Sequence, residues 1–581
     1  MGRVGAFAVL PALLLLAAVE TLSSQNSDRF SEELFVSPLS TGHVYLHFKF
    51  SISTPLRSKY VHMDYFPKSV IDIVQAHNVR ELHVRLTQGA FRHEKWGYPI
   101  LSAPSGAEVW AWFQDDASSI ADKWRGLTNS LAGLLCATFN DISSVNSISP
   151  QWNFRPEGLV DSSRSVNTSL LRYSMLPREN LCTENLTPWK KLLPCYDRAG
   201  LAKLLNAVKL LSAHYFNIAF DVKPVCGDPE CHEQRLQLEV SATAAVLPGS
   251  IEDEDKLNWS LRDLLEIDVD SGCPLATHSL VYVNQSMKSR GMVFYPAPTY
   301  FTVAHEEDIA VYDLRNTITF PKPQRNIGGK SSHAMDYTHT QSPFLEVHRY
   351  VSGVGQQYGG IKCLMKNNNP DVPVTVSYME IVPWFLRLYF HTIRLQDLEK
   401  GTPVPITRQH FVLARDRQLP HHIELLFTIP PATTVELSVE FDYTLLKWTE
   451  YPPDANHGFH IPPAVISARL ADCQDFQFPK NFTQLRSTEN ACFLRLYTKA
   501  LLVSLPTPDF SMPYNVICMT CTVLALAFGP IHAITTKRFV VFDPQKHAPP
   551  LKRLKTVVAG VMERVKGRLR RWRGKNEEHK E

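Results

Sequence analysis

Cysteine is the residue type in this chain whose number and placement most directly suggest covalent chemistry. There are eleven. Cys518 and Cys521 stand three residues apart inside an apolar stretch and read as one face of a packing helix rather than a redox pair. The other nine are Cys136, Cys182, Cys195, Cys226, Cys231, Cys273, Cys363, Cys473 and Cys492. In an oxidising compartment such cysteines pair, and an odd number leaves one thiol free or bonded to another chain. Cys226 and Cys231 bracket Gly-Asp-Pro-Glu, which suits a tight local disulfide; zinc binding with His232 is the alternative. Cys182 falls in a charged, polar stretch that should be an exposed loop. It could bond a partner or close a loop with Cys195. A nucleophilic role would need a nearby base and a lowered pKa, and no caspase-type or papain-type signature surrounds it.

Other catalytic signatures are missing. The chain has no HExxH and no GxSxG. IGGKSS ends like a phosphate-binding loop, but Gln324 stands where the first glycine is required. The glycines of VSGVGQQYGG read as a hairpin turn. No catalytic residue, metal site or cofactor is assigned. N-x-[ST] sequons at Asn167, Asn258, Asn284 and Asn481 are candidate glycan sites. A fifth, Asn185, is the weakest, because Pro188 follows its Thr and Cys182 is three residues away.

These residues need an oxidising compartment, and the ends of the chain supply the reason to expect one. Val516 to Ile534 is an uncharged run long enough to cross ~30 Å of hydrocarbon as a helix. The N-terminus has a basic start and an apolar Ala8–Val19 run, the pattern of a signal peptide over 1–23. From Lys537 onward 14 Lys or Arg face 5 Asp or Glu, so the tail carries about +9 (14 minus 5). The basic flank predicts a type I protein with a cytosolic tail at 537–581 and a span at 513–536. The tail's charge reads as a contact to anionic lipid or a retention signal, or simply as the positive-inside bias. Nucleic-acid binding is not expected, since the basic residues are not interleaved with a reading surface.

The intervening ~490 residues exceed what one hydrophobic core usually holds. Residues 24–330 read as a mixed α/β luminal domain. Val44, Leu46, Phe48, Phe50 and Ile52 share a strand face, with Tyr45, His47, Lys49 and Ser51 opposite. ELHVRLTQG and AEVWAWF are further strands. PKSVIDIVQAHN and Ser118–Cys136 are helices, the second with Ile120, Trp124, Leu127 and Leu131 on one stripe. NWSLRDLLEI is a short helix capped near Asn258 or Ser260. Residues 331–512 read as an antiparallel β-sandwich. In VELSVEFDY the apolar residues Val435 to Tyr443 alternate without a break. The fold class is therefore α+β followed by all-β, then a single transmembrane helix. A sandwich next to the anchor would bring two polar turns to headgroup height, one with Asn456 and His457, the other with Asp509 and Ser511.

Several long segments carry a resemblance. LPRENLCTENLTPWKKLLPC, GLAKLLNA, VSGVGQQYGG, LLKWTEYPPDANHGF and LPTPDFSMPYNVIC occur in the order found in the PIG-T subunit family of the glycosylphosphatidylinositol (GPI) transamidase. The chain resembles that family over nearly its whole length, and departs from it in the extra cysteines Cys363, Cys473 and Cys492. The resemblance implies a non-catalytic subunit in the endoplasmic reticulum membrane. It implies an interchain disulfide from Cys182 to the caspase-like catalytic subunit, and other membrane subunits as partners. It also implies contact of Asn456, Asp509 and Ser511 with the GPI glycolipid. A different class, a type I adhesion or receptor ectodomain, would fit a sandwich on one anchor.

Overall fold

The computed structural model describes residues 28–577 apart from 57–62, 115–118, 160–166, 229, 249–257, 270–271, 286–290, 305–306, 316–325, 332–342, 355–357, 453, 470–492, 508–510 and 539–549. The expected signal peptide, Asn481, Cys473, Cys492 and Asp509 lie outside the described residues.

The N-terminal half is organised on one eleven-stranded sheet. Its strands are β1 (Arg29–Pro38), β2 (Val44–Pro55), β3 (Val79–Gln88), β4 (Gly106–Phe113), β5 (Ser147–Ile148) and β6 (Leu171–Leu176). They continue with β7 (Tyr215–Cys226), β8 (Gln234–Val246), β9 (Ser279–Asn284), β10 (Tyr300–Ala304) and β11 (Glu307–Asp313). The spatial order is β10-β11-β9-β1-β2-β8-β7-β3-β4-β6-β5. Only β1 and β9 pair in parallel; the other ladders are antiparallel.

One face of this sheet is apolar because alternate residues point the same way. Leu46, Phe48, Phe50, Leu82, Val84, Leu86, Phe216, Ile218 and Phe220 share one core. Helix α1 (Lys68–Ala76) adds Val70, Ile71 and Val74 to it, and α2 (Ile120–Leu135) adds Trp124, Leu127, Leu131 and Leu135. The periodicity of 3.6 read for both segments is what places these side chains on one stripe. Ser260 caps the short Leu261–Leu265 helix, accepting from the Asp263 N–H at 3.1 Å.

The other face is buried too, and it is charged. His47, Lys49, His83, Arg85, Glu108, Asp221, Lys223 and Glu239 are all buried. His83 Nδ1 lies 2.7 Å from Asp221 Oδ1, and its ring stacks on Trp110. Arg85 donates to the same carboxylate oxygen. Burial alone would raise the Asp221 pKa; the Arg85 guanidinium and then His83 hold it well below the ordinary carboxylate range. Strand alternation cannot announce this, since polar residues opposite an apolar face ordinarily meet water.

Two further antiparallel sheets follow. Their strands are β12 (Leu345–Val354), β13 (Tyr358–Asn367), β14 (Val374–Val382), β15 (Leu386–Asp397) and β16 (Ile406–Val412). The rest are β17 (His421–Ile429), β18 (Thr434–Tyr443), β19 (Val465–Arg469) and β20 (Phe493–Tyr497). The sheets run β12-β13-β18-β15 and β16-β17-β14-β19-β20. Ile361, Met365, Val435, Leu437 and Phe441 from the first share a core with Val376, Tyr378, Leu425 and Phe427 from the second. The Gly-rich VSGVGQQYGG stretch joins β12 to β13, and Gly353 sits at φ +134°, where a Cβ would strike the Tyr358 carbonyl.

The halves are joined by a small aromatic core. Trp110, Trp112, Phe154 and Tyr173 pack with Met379, Ile381 and Val465. Glu424 on β17 accepts the Gln151 and Trp152 amides at 2.7 and 2.8 Å. Glu108 accepts from Tyr173 at 2.8 Å and from Tyr497 at 3.1 Å. Residues up to Thr507 accordingly form one compact unit.

The second unit begins at Pro508. It contains α4 (Ser511–Thr536), within which Tyr514–Thr536 is long and apolar enough to span a membrane, with none of it buried. A second helix, α5 (Pro550–Glu577), follows in the basic tail.

Candidate functional site

The structure divides the cysteines by environment. Cys226 and Cys231 are disulfide-bonded across a tight turn with Cα atoms 4.7 Å apart. Cys195 is bonded to Cys273, which is 78 residues away, and both are buried. The Cys182–Cys195 bridge that sequence spacing allows is therefore not formed. Cys363 is unpaired inside the second core, where burial pushes its thiol pKa up and away from reactivity. Cys136 and Cys182 are unpaired and exposed. Among the described residues no cluster of His, Cys, Asp and Glu could hold a metal.

Cys182 is the last residue of the exposed loop that follows β6. It is the N-cap of α3 (Thr183–Lys190), in extended backbone at φ −139° and ψ −179°. Its carbonyl accepts from the Asn185 and Leu186 amides at 3.2 and 3.1 Å, opening the helix. Asn185, three residues on, supplies the return half of the cap: its Oδ1 accepts from the Cys182 N–H at 2.9 Å and from the thiol at 3.1 Å. Its Nδ2 donates to the Leu135 and Cys136 carbonyls, at 3.0 and 2.9 Å, at the end of α2. Cys136 ends that helix in the left-handed region at φ 53°. One amide thus satisfies groups on two helix termini.

The rest of α3 is seated firmly. Leu186 and Trp189 are buried, and Trp189 Nε1 donates to the Ala219 carbonyl at 3.0 Å. Lys190 Nζ donates to the Leu205 carbonyl at 3.1 Å. Beyond the helix, Cys195–Cys273 fastens the chain beside β9. There the buried Glu32 accepts from the Cys273 amide at 2.8 Å, the Leu201 amide at 3.0 Å and the Ser279 hydroxyl at 2.6 Å. The backbone that carries the Cys182 thiol is thus held by buried hydrogen bonds and a disulfide.

Asn185 is 1% exposed and both its amide protons are used, so it has no room and no free donor for a glycan. Asn167 and Asn258 are exposed and Asn284 is half-buried at the end of β9. Asn167 caps a turn, accepting from the Ser169 amide and hydroxyl.

The Asn456 turn is built differently. Asn456 is exposed in a one-turn helix, Ala455–His457, of which no residue is buried. Its amide donates to Asp454 at 3.2 Å. The segment before it is pinned at Glu450, which pairs with Arg417 and accepts the Lys447 amide at 2.8 Å. Those hydrogen bonds, the Arg417 one first, hold the Glu450 pKa down to about 2. Arg417 in turn lies over the Trp384 ring at 4.8 Å. Tyr451 donates to the Pro506 carbonyl. Between and before these pins Leu445 and Trp448 stand 77% and 56% exposed. Ser511 begins α4. Sequence reasoning named Cys182 and Asn456 as candidates and doubted the Asn185 sequon, but it did not foresee the cap that Asn185 builds between two helix ends.

Comparison with known proteins finds relatives over nearly the whole chain. The family model "Gpi16 subunit, GPI transamidase component" matches residues 13–254 and 248–564. The GPI-anchor transamidase component PIGT of Mus musculus is 38% identical over 565 residues, covering 94% of each chain. Its Homo sapiens counterpart is 37% identical over 585 residues, covering 98% of each. The GPI transamidase component GPI16 of Saccharomyces cerevisiae is 29% identical over 561 residues, covering 88% of this chain and 89% of its own.

Proposed function

The chain belongs to the Gpi16 family of GPI transamidase components, and from that membership we propose that it is a non-catalytic subunit of that complex in the endoplasmic reticulum membrane. In this reading residues 24–330 and 331–512 are luminal, 513–536 span the membrane and 537–581 are cytosolic. The subunit holds the caspase-like catalytic subunit by a disulfide from Cys182. Two thiols lose two electrons and two protons to the oxidising lumen as that bond forms. The other membrane subunits assemble around the same chain, and glycans at Asn167, Asn258, Asn284 and Asn481 mark faces left free.

One observation carries this proposal. Cys182 is an exposed, unpaired thiol on a corner fixed by Asn185, Trp189 and the Cys195–Cys273 bond. An internal disulfide has taken Cys195, the partner that sequence spacing allowed, out of competition. Asn456, Asp509 and Ser511 contribute amide, carboxylate and hydroxyl groups suited to the sugars and terminal ammonium of the GPI glycolipid. The exposed Leu445 and Trp448 beside the Asn456 turn suit a boundary between lipid and water.

The test is a gel of the solubilised protein from cells, with and without reductant, for wild type and Cys182→Ser. The expected result is a larger non-reducing band containing the protease subunit, which reductant collapses and the mutation removes. An unchanged larger band in Cys182→Ser, or a monomer in every lane, would overturn the covalent role.

A further inference from the structure

Helix α5 differs from α1, α2 and α3, which bury apolar side chains in a core, and from α4, which is apolar on every side. Leu551, Leu554, Val558, Val561, Val565 and Leu569 recur along it at three- and four-residue steps. At roughly 100° per residue these six, with Val557 and Met562, fall in one stripe about 140° wide. All eight are exposed, from Val565 at 50% to Leu551 at 73%. Over 550–570 the remaining surface carries Lys552, Arg553, Lys555, Arg564, Lys566, Arg568 and Arg570 against Glu563 alone. Most of these cations lie at the two edges of the stripe rather than opposite it. Long basic side chains at such edges can keep their stems on apolar material and their charges in an anionic layer.

We infer that α5 lies in the headgroup layer of an anionic membrane, with the Leu551–Leu569 stripe in the acyl boundary and the flanking lysines and arginines on acidic lipid headgroups. Charge complementarity and position argue for this occupant. The basic polar face excludes a second copy of the same helix packed side by side, since the cations at the stripe edges would meet their own kind. The candidate membrane span α4 ends at Thr536, and thirteen residues, 537–549, separate it from Pro550. Fully extended, that connection spans at most about 45 Å, so α5 is tethered close to the surface that α4 would leave. Gly560 and Gly567 inside α5 weaken it as a free helix in water, so the lipid surface would also order it. The inference is independent of the Cys182 bond.

Hydrogen exchange on the full-length chain in vesicles tests it. The chain is reconstituted into phosphatidylcholine alone and into phosphatidylcholine with about one third phosphatidylserine. Amides of 550–570 should exchange at least about tenfold more slowly in the anionic vesicles. The double variant Val558→Asp/Val561→Asp should lose that difference, while amides of β2 and β8 keep their protection in both chains. Equal exchange in the two vesicle types would overturn the inference. So would full protection in neutral vesicles, because acidic headgroups would then play no part in holding the stripe. A charge-reversed chain, Arg564→Glu/Lys566→Glu/Arg568→Glu, that stays protected in anionic vesicles would overturn it as well.

Discussion

Cys182 and Asn456 are both exposed, but their settings differ. Cys182 stands three residues from a buried amide that makes four hydrogen bonds, while Asn456 stands in a turn with no buried residue. The two demands are different. A covalent bond to one partner atom needs a fixed vector, because disulfide geometry tolerates little displacement. Hydrogen bonding to a sugar needs groups that can adjust, and solvated turn residues provide them. The corner at Cys182 invests buried polar groups and a disulfide in rigidity; the Leu445–His457 segment is held at Glu450 and Tyr451 and exposes Leu445 and Trp448 before them and Asn456 and His457 after them.

Breaking the disulfide behind Cys182 should show the largest stability effect. In the chain-entropy account, opening a closure of 78 residues costs about 4 kcal/mol. The double variant Cys195→Ser/Cys273→Ser avoids leaving a lone thiol to mispair with Cys182. It should lower the denaturant midpoint and reduce the yield of the larger non-reducing band. If stability falls while the band forms in full, the orientation of α3 does not depend on that bond, and the contrast with the Asn456 turn is weaker than drawn.

A smaller and more local effect is expected from Asn185→Ala. The carbonyls of Leu135 and Cys136 and the Cys182 amide would each lose a partner. Buried polar groups left unpaired cost about 1–3 kcal/mol, and these are only partly shielded, so a total of about 2 kcal/mol is expected. The covalent band should decrease without vanishing, because the thiol itself remains. Treatment with a glycosidase should leave the mobility shift attributable to Asn185 at zero in both wild type and variant.

What the sequence disclosed follows from how each feature is encoded. Val435 to Phe441 and Val44 to Ile52 announce their strands, since one buried face imposes a period of two. The stripe of α2 is visible for the same reason at 3.6. The α3 helix was hidden because Pro188 and the polar Thr183, Glu184, Asn185, Thr187 and Lys190 interrupt any pattern, and it is tertiary burial of Leu186 and Trp189 that stabilises it. The Cys195–Cys273 pairing was not recoverable, since spacing says nothing about which distant strands approach. The charged layer around His83 and Asp221 was equally silent: it exists because a second set of sheets covers that face, and coverage is not a local property. Cys182 stood out by counting and by resemblance, while Asn185 was missed because its side chain works through two helix ends that only the fold brings together.

The least disruptive change should be Asn456→Ala. No buried group depends on this side chain, so the stability change should stay within about 0.5 kcal/mol. The larger non-reducing band should form in full. Any effect should appear only in GPI transfer by the assembled complex, as a several-fold loss shared with Asp509→Ala. That pattern would separate the two regions cleanly, one affecting assembly and the other affecting lipid use. Unchanged transfer in fully assembled Asn456→Ala complex would remove the turn from the glycolipid site. If instead Asn456→Ala depleted the covalent band, the turn would be an assembly surface like the Cys182 corner, and the distinction between a rigid and an adaptable contact would fail at its weaker end.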